Sequence, residues 1–172
     1  LAALTVPARR LLLDALERFQ YRERLAARRA LTTFAEEAVS HHDPDELLAR
    51  LRQLLKDALG VDQVVTYLAE RDSLRPMPAD ERFSSLRPDT VSGPFPAPGE
   101  RALYEAELRH RFVLARDGRV VGVLYCGHRR GQLPLGHGER RLVSALAAQA
   151  ALALQNSLLL KDLRLQVEEH RL

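Results

Sequence analysis

From Glu139 to Leu172 the sequence holds neither glycine nor proline. A stretch this long without a breaker, rich in Ala, Leu, Arg and Glu, predicts a single helix of about 50 Å at 1.5 Å per residue. Along it Leu142, Leu146, Gln149, Ala153, Asn156, Leu160, Leu163, Val167 and His170 follow at alternating intervals of four and three, the spacing of a heptad seam. Polar Gln149 and Asn156 weaken such a seam but fix its register, which suits a coiled coil that shifts between two states. The seam can pair with a second copy or with the chain's own first helix, and a four-helix dimer bundle satisfies both. Leu146, Ala153, Leu160, Leu163 and Val167 are the expected dimerisation residues.

The other end is also helical in pattern. Residues 8 to 40 contain no glycine or proline and read as one helix or two in close succession. Ala27, Leu31, Phe34 and Ala38 share a face suited to packing on a body, whereas Leu12, Leu16 and Phe19 are followed by Glu23, so the proximal half is expected to project outward. Next, Asp43 offers an N-cap, Pro44 fits the first helical position and Glu46 resembles the distal member of a capping box. That helix should run to about Leu59 and stop at Gly60.

Residues 61 to 70 mix β-branched and aromatic side chains in alternation and predict a strand. "SLRPMP" fits only an edge strand, because proline cannot donate to a ladder. Pro76, Pro78, Pro88, Pro94, Pro96 and Pro98 make residues 76 to 100 an irregular loop. Ala102, Tyr104, Ala106, Leu108, His110, Phe112 and Leu114 then alternate as a strand would, although "ERALYEAEL" can also form a short helix.

"VLARDGRVVGVLYCG" predicts a hairpin around Asp117-Gly118. A two-residue turn with regular pairing sets Arg116 opposite Arg119, Leu114 opposite Val121, Phe112 opposite Val123 and His110 opposite Tyr125. One face is then bulky and aromatic. The other carries Val113, Ala115, Val120, Gly122, Leu124 and Cys126, small enough for the terminal helix to approach through Ala145, Ala148 and Leu152.

Composition narrows the class. With 172 residues and 46% apolar content the chain can build a core. It opens on Leu1 rather than Met, which suggests a segment of something longer. Neither a membrane span nor a secretory leader is visible, so a cytoplasmic location is expected. The net charge of +3 is carried almost wholly by arginine, with acids interspersed throughout, and no nucleic-acid stripe or motif emerges. Cys126 alone can make neither an internal disulfide nor a zinc or iron–sulfur site.

The order of these parts, "DPDELLARLRQLLKDALGVDQVVTYLAE", loop, "FVLARDGRVVGVLYCG" and "HGERRLVSALAAQAALALQNSLLL", resembles a GAF domain, the small-molecule sensor module of signalling proteins. The resemblance covers roughly residues 30 to 160 and rests chiefly on "GRVVGVL" and "ERRLVSALAAQAALALQNS". It implies an α+β fold: a central antiparallel sheet, GAF/PAS-like, with helices packed on one face, a ligand pocket on the other, and long N- and C-terminal helices. The implied organisation is a linker or dimerisation helix over 1 to 29, the GAF domain over 30 to 156 and a signalling helix over 157 to 172. The implied role is non-enzymatic: a homodimeric sensor, of the kind found in two-component systems, relaying a change to a kinase, cyclase or transcription-regulator module in the same chain. The alternative is a ligand-free fold that only dimerises and relays. This chain departs from the pattern by placing a proline-rich stretch where many family members have pocket helices.

Tyr67, His110, Phe112 and Tyr125 are the expected pocket-lining residues, amphipathic groups suited to an aromatic-walled cavity and equally suited to plain core. No cofactor follows from the sequence. Cys126-Gly127-His128 invites comparison with the bilin-anchoring pair of phytochrome-like members, but Cys126 falls on a strand facing the helix, where a buried thiol is the ordinary reading. A lone cysteine also argues against the family's methionine sulfoxide reductases, and the Asn-Lys…Phe…Asp-Glu pattern of its cyclic-nucleotide binders is absent. His41-His42-Asp43 makes sense as a helix entry rather than a ligand set. His110, His128 and His137 fit no standard metal spacing. Arg109, Arg111, Arg129 and Arg130 should gather at one end of the hairpin, as an anion site or as a charged, solvated sheet edge.

Overall fold

The computed structural model describes residues 25–26, 29–30, 32–38 and 43–169. The expectations for Leu12, Leu16, Phe19, Glu23, Ala27, Leu31, His41, His42 and His170 lie outside the described residues.

Helix α1, Pro44–Leu59, begins where the sequence signals it: the Asp43 carboxylate accepts the Asp45 N–H at 3.1 Å and Pro44 occupies the first turn. It ends at Gly60, whose φ of 62° lets its N–H reach the Lys56 carbonyl at 3.0 Å. Leu47, Leu48, Leu51, Leu55 and Leu59 bury one face. Phe34, from helical residues 32–38, joins the same apolar cluster.

Four antiparallel strands follow in the order β2-β1-β4-β3: β1 (Val64–Glu70), β2 (Ser73–Met77), β3 (His110–Arg116) and β4 (Arg119–Cys126). β2 is an edge strand, as Pro76 requires, and a single bridge from Leu74 to Leu86 covers part of its outer side. The proline-rich segment is irregular apart from one-turn 3₁₀ segments at Thr90–Ser92 and Pro98–Glu100.

Residues 102 to 109 are not strand. Helix α2, Arg101–Glu105, follows directly on the 3₁₀ turn, and the chain reverses at Glu107 with φ 66°. The apparent alternation is incidental, since inward packing falls to Leu103 and Leu108 while Tyr104 is exposed. The helical alternative read from "ERALYEAEL" is the one adopted.

The hairpin turn sits at Asp117 and Gly118, with φ of 51° and 77°, and Arg116 pairs with Arg119 as expected. Beyond Ala115–Val120 a β-bulge inserts Val121, so Leu114 pairs with Gly122, Phe112 with Leu124, Arg111 with Tyr125 and His110 with Cys126. The regular register is therefore corrected by one residue, and a slip of one exchanges the two faces of β3. Leu114 and Phe112 join the helix-side core, while Val113 packs on the Tyr67 and Tyr125 side.

Helix α3, His137–Glu169, is continuous. Its first half packs on β3, β4 and α1 through Val143, Leu146, Ala147, Ala150, Ala151 and Leu154. The stripe expected to dock, Ala145, Ala148 and Leu152, is displaced to the flank: Ala148 is exposed and the other two are half-buried. By length and composition α3 contains a window apolar enough to cross a bilayer, with hydropathy 1.4. In this fold the apolar residues of its first half form the domain core. Gly122 leaves no room for a side chain within the sheet, because a Cβ there would lie 2.7 Å from the Tyr67 carbonyl oxygen of β1, while Leu154 Cδ1 of α3 would stand at an ordinary 3.6 Å.

Candidate functional site

The face of the sheet turned away from α1 and α3 is where the resemblance locates a pocket. Tyr67 and Tyr125 stand there side by side from neighbouring strands, fully buried, with ring centroids 5.6 Å apart in an edge-to-face arrangement. Phe83, Leu86, Val91, Leu103 and Leu108, supplied by the proline-rich loop and α2, close over them. Tyr67 donates its hydroxyl to the Ser84 carbonyl at 3.3 Å, and Tyr125 donates to Glu100 Oε1 at 2.5 Å. Burial raises both phenol pKa values above the usual range, and the adjacent Glu100 carboxylate raises them further, so both rings stay neutral.

Glu100 organises this side. It is fully buried and receives Arg111 Nη1 on both carboxylate oxygens, at 2.8 and 3.0 Å, together with the Ala97 backbone N–H at 2.8 Å. Arg111 also donates to the Gly93 carbonyl and lies 5.7 Å from the centre of the Phe95 ring. Phe95 in turn packs 5.8 Å from Tyr125. One buried ion pair thus staples the loop at residues 93 to 100 to the strand β3.

His110 and Phe112 are on the opposite face. The bulge that sends Arg111 toward Glu100 sends its neighbours toward α3, so the four expected lining residues form two separate pairs. Phe112 packs against the helix-side core. His110 has Nδ1 3.4 Å from Arg140 Nη2, and its buried Nε2 has no partner among the described residues. Desolvation, with the nearby Arg140 and His128, lowers its pKa below the ordinary value. Sequence reasoning missed Glu100 and Phe95, which no periodic pattern singles out from a proline-rich loop.

The four arginines expected to form one cationic patch are mostly neutralised. Arg109 meets Glu107 at 3.1 Å and lies 4.3 Å from the centre of the Tyr104 ring. Arg111 is held by Glu100, and Arg129 by Glu139 at 2.5 Å. Arg130 is exposed.

Cys126 is fully buried, and desolvation pushes its thiol up to about 12. Among the described residues no three His, Cys, Asp or Glu side chains converge as metal ligands.

The seam of α3 divides at about Ser157. Leu146 is 0% exposed within the domain's own core and Ala153 is nearly covered, whereas Leu160, Leu163 and Val167 are 39%, 56% and 52% exposed. Leu159 and Leu165 are exposed beside them.

Residues 108–154 match the GAF domain family model. No curated protein matches the sequence. Among solved structures, the chain is similar to residues 122 to 287 of a methyl-accepting chemotaxis protein (20% identity over 74% of this chain and 98% of that one, TM-score 0.55). It is also similar to the free methionine-R-sulfoxide reductase of Neisseria meningitidis (19% identity, 76% and 89% coverage, TM-score 0.59). A third likeness is to the GAF domain of a candidate sensor histidine kinase from Pseudomonas syringae pv. tomato (14% identity, 86% and 97% coverage, TM-score 0.55). At these identities the likeness to each structure is one of fold. The antiparallel sheet with helices packed against it is the fold of these GAF domains, and the family match runs from the hairpin into the first half of α3.

Proposed function

We propose that the domain is a non-enzymatic, cytoplasmic sensor in a modular signal-transduction protein, relaying a change to an output module in the same chain through a dimer of its terminal helices. The observation that carries this reading is α3: one continuous helix whose first half is core and whose second half projects Leu159, Leu160, Leu163, Leu165 and Val167 into solvent. Apolar side chains repeated along an otherwise charged rod fit a helical partner, and a homodimer supplies one by symmetry. Continuity matters because the same backbone that packs on the sheet would reach the output. The chemotaxis protein and the sensor histidine kinase to which the chain is similar in fold are signalling proteins, which favours an output of that kind here.

Sedimentation of the chain tests this directly. The parent is expected to be a dimer at micromolar concentration, and Leu160→Glu with Leu163→Glu to be a monomer with unchanged near-UV circular dichroism. A parent monomeric at every concentration overturns the reading.

A second reading, a relay without a ligand, is favoured by one observation: the face opposite the helices is filled by the chain's own Tyr67, Tyr125 and Phe83 and by the Glu100–Arg111 pair. Small molecules that raise the thermal midpoint by binding the native state separate the two readings.

A further inference from the structure

A cleft of about 750 Å³ opens at the other side of Arg111, where the free edge of β3 meets the start of α3. Arg109, His110, Arg111 and Phe112 from the strand, Phe95 from the loop, and His137, Arg140, Arg141 and Ser144 from α3 surround it. No carboxylate lines it. The acids nearby are already committed: Glu100 to Arg111, Glu107 to Arg109 and Glu139 to Arg129. Arg140 and Arg141 have no carboxylate partner among the described residues, and the contact Arg140 does make is with an imidazole at 3.4 Å.

Two uncompensated guanidiniums beside a histidine repel one another, and nothing in the chain relieves that repulsion. An anion would. His110 adds a polar edge to the cleft through Nδ1, which lies 3.4 Å from Arg140 Nη2, while its Nε2 is closed off from solvent. Phe95 and Phe112 add apolar surface, and the volume falls in the range of small-molecule sites.

From this we infer that the β3–α3 cleft binds a small dianion carrying an aromatic or other flat apolar group, a phosphate monoester being the matching chemistry. Arg140 and Arg141 take the charged oxygens as charge-assisted donors. Phe95 and Phe112 take the flat group. Ser144 offers a neutral donor. The site lies at the sheet edge, outside the space filled by Tyr67 and Tyr125, so it needs no displacement of core. The inference rests on the sensory reading only for its consequence, a ligand that bridges the sheet to α3.

Titration of the full chain with phenyl phosphate, followed by calorimetry and by amide chemical shifts, tests it. Saturable binding with shifts centred on Phe112 and Ser144 is expected. Arg140→Gln with Arg141→Gln should weaken it by about tenfold or more, since a hydrogen bond to a charged group contributes at least that factor. Arg119→Gln, at the exposed hairpin tip, should leave it unchanged. Inorganic phosphate should bind more weakly than phenyl phosphate, and equal affinity overturns the aromatic part of the assignment. Absence of binding at millimolar phenyl phosphate, or equal weakening by Arg119→Gln, overturns the site. Either failure leaves the sedimentation result on α3 standing, so the two readings fail separately.

Discussion

Arg111 Nη1 lies 2.8 and 3.0 Å from the two carboxylate oxygens of Glu100, and the pair is nearly dry, with side chains 9% and 0% exposed. Glu100→Ala should therefore cost about 3–5 kcal/mol in urea denaturation, because it leaves a buried guanidinium without its counter-ion and the Tyr125 hydroxyl without its acceptor. Replacing both partners by apolar residues, Glu100→Leu with Arg111→Met, should recover most of the loss. A double variant as unstable as Glu100→Ala alone would mean that the loop is held by something other than the charge pair.

Gly122 has no room for a side chain: its Cβ would sit 2.7 Å from a backbone carbonyl, which cannot swing aside. Gly122→Ala is expected to destabilise by about 1–3 kcal/mol. Gly138→Ala, with nothing within 4 Å in the first turn of α3, should be neutral or stabilising by up to about 1 kcal/mol. Equal melting temperatures for the two variants would contradict the close approach of the β1 backbone to Gly122.

The lowered pKa of His110 has a definite sign for stability. Folding favours the neutral ring, so the unfolded chain binds more protons below the ordinary value of 6.5. Stability is fully present above that value and falls as pH drops from it toward the folded-state pKa. His110→Gln should flatten that part of the stability–pH curve, as read from urea midpoints between mildly acidic and neutral pH.

A cysteine introduced at Val167 reports the geometry of the proposed dimer. Parallel rods bring the position against its own copy, so Val167→Cys should form an intermolecular disulfide under mild oxidation. Monomeric product alone, from a protein that sediments as a dimer, would assign an antiparallel or differently faced rod.

Cys126 should be silent toward an aromatic disulfide reagent in the native state at mildly alkaline pH, because its thiol is buried and its pKa is raised to about 12. One equivalent should react once guanidinium unfolds the domain. Fast native reaction would mean that the β4–α3 packing opens readily.

Local signals were legible wherever chemistry acts over a few residues. Asp43, Pro44 and Gly60 bound α1, Asp117-Gly118 makes the turn, Pro76 marks an edge, and the run without breakers becomes α3. The facing of β3 was not legible, because a bulge leaves no mark in an alternating pattern, and one inserted residue moved His110 and Phe112 away from Tyr67 and Tyr125. Glu100 was hidden for a different reason. Its significance comes from Arg111, eleven positions on and reached only through the folded loop. The spacing along α3 could not say that Leu146 is taken by the core while Leu163 is left open.

The extra residue at Val121 behaves like an insertion in a reading frame. A hairpin that kept this residue but continued the turn's pairing without a bulge would set every residue of β3 against the other row of β4 side chains. Deleting Val121 would take out the surplus residue and leave Leu114 opposite Gly122 and Arg111 opposite Tyr125, so the buried arginine should keep its place.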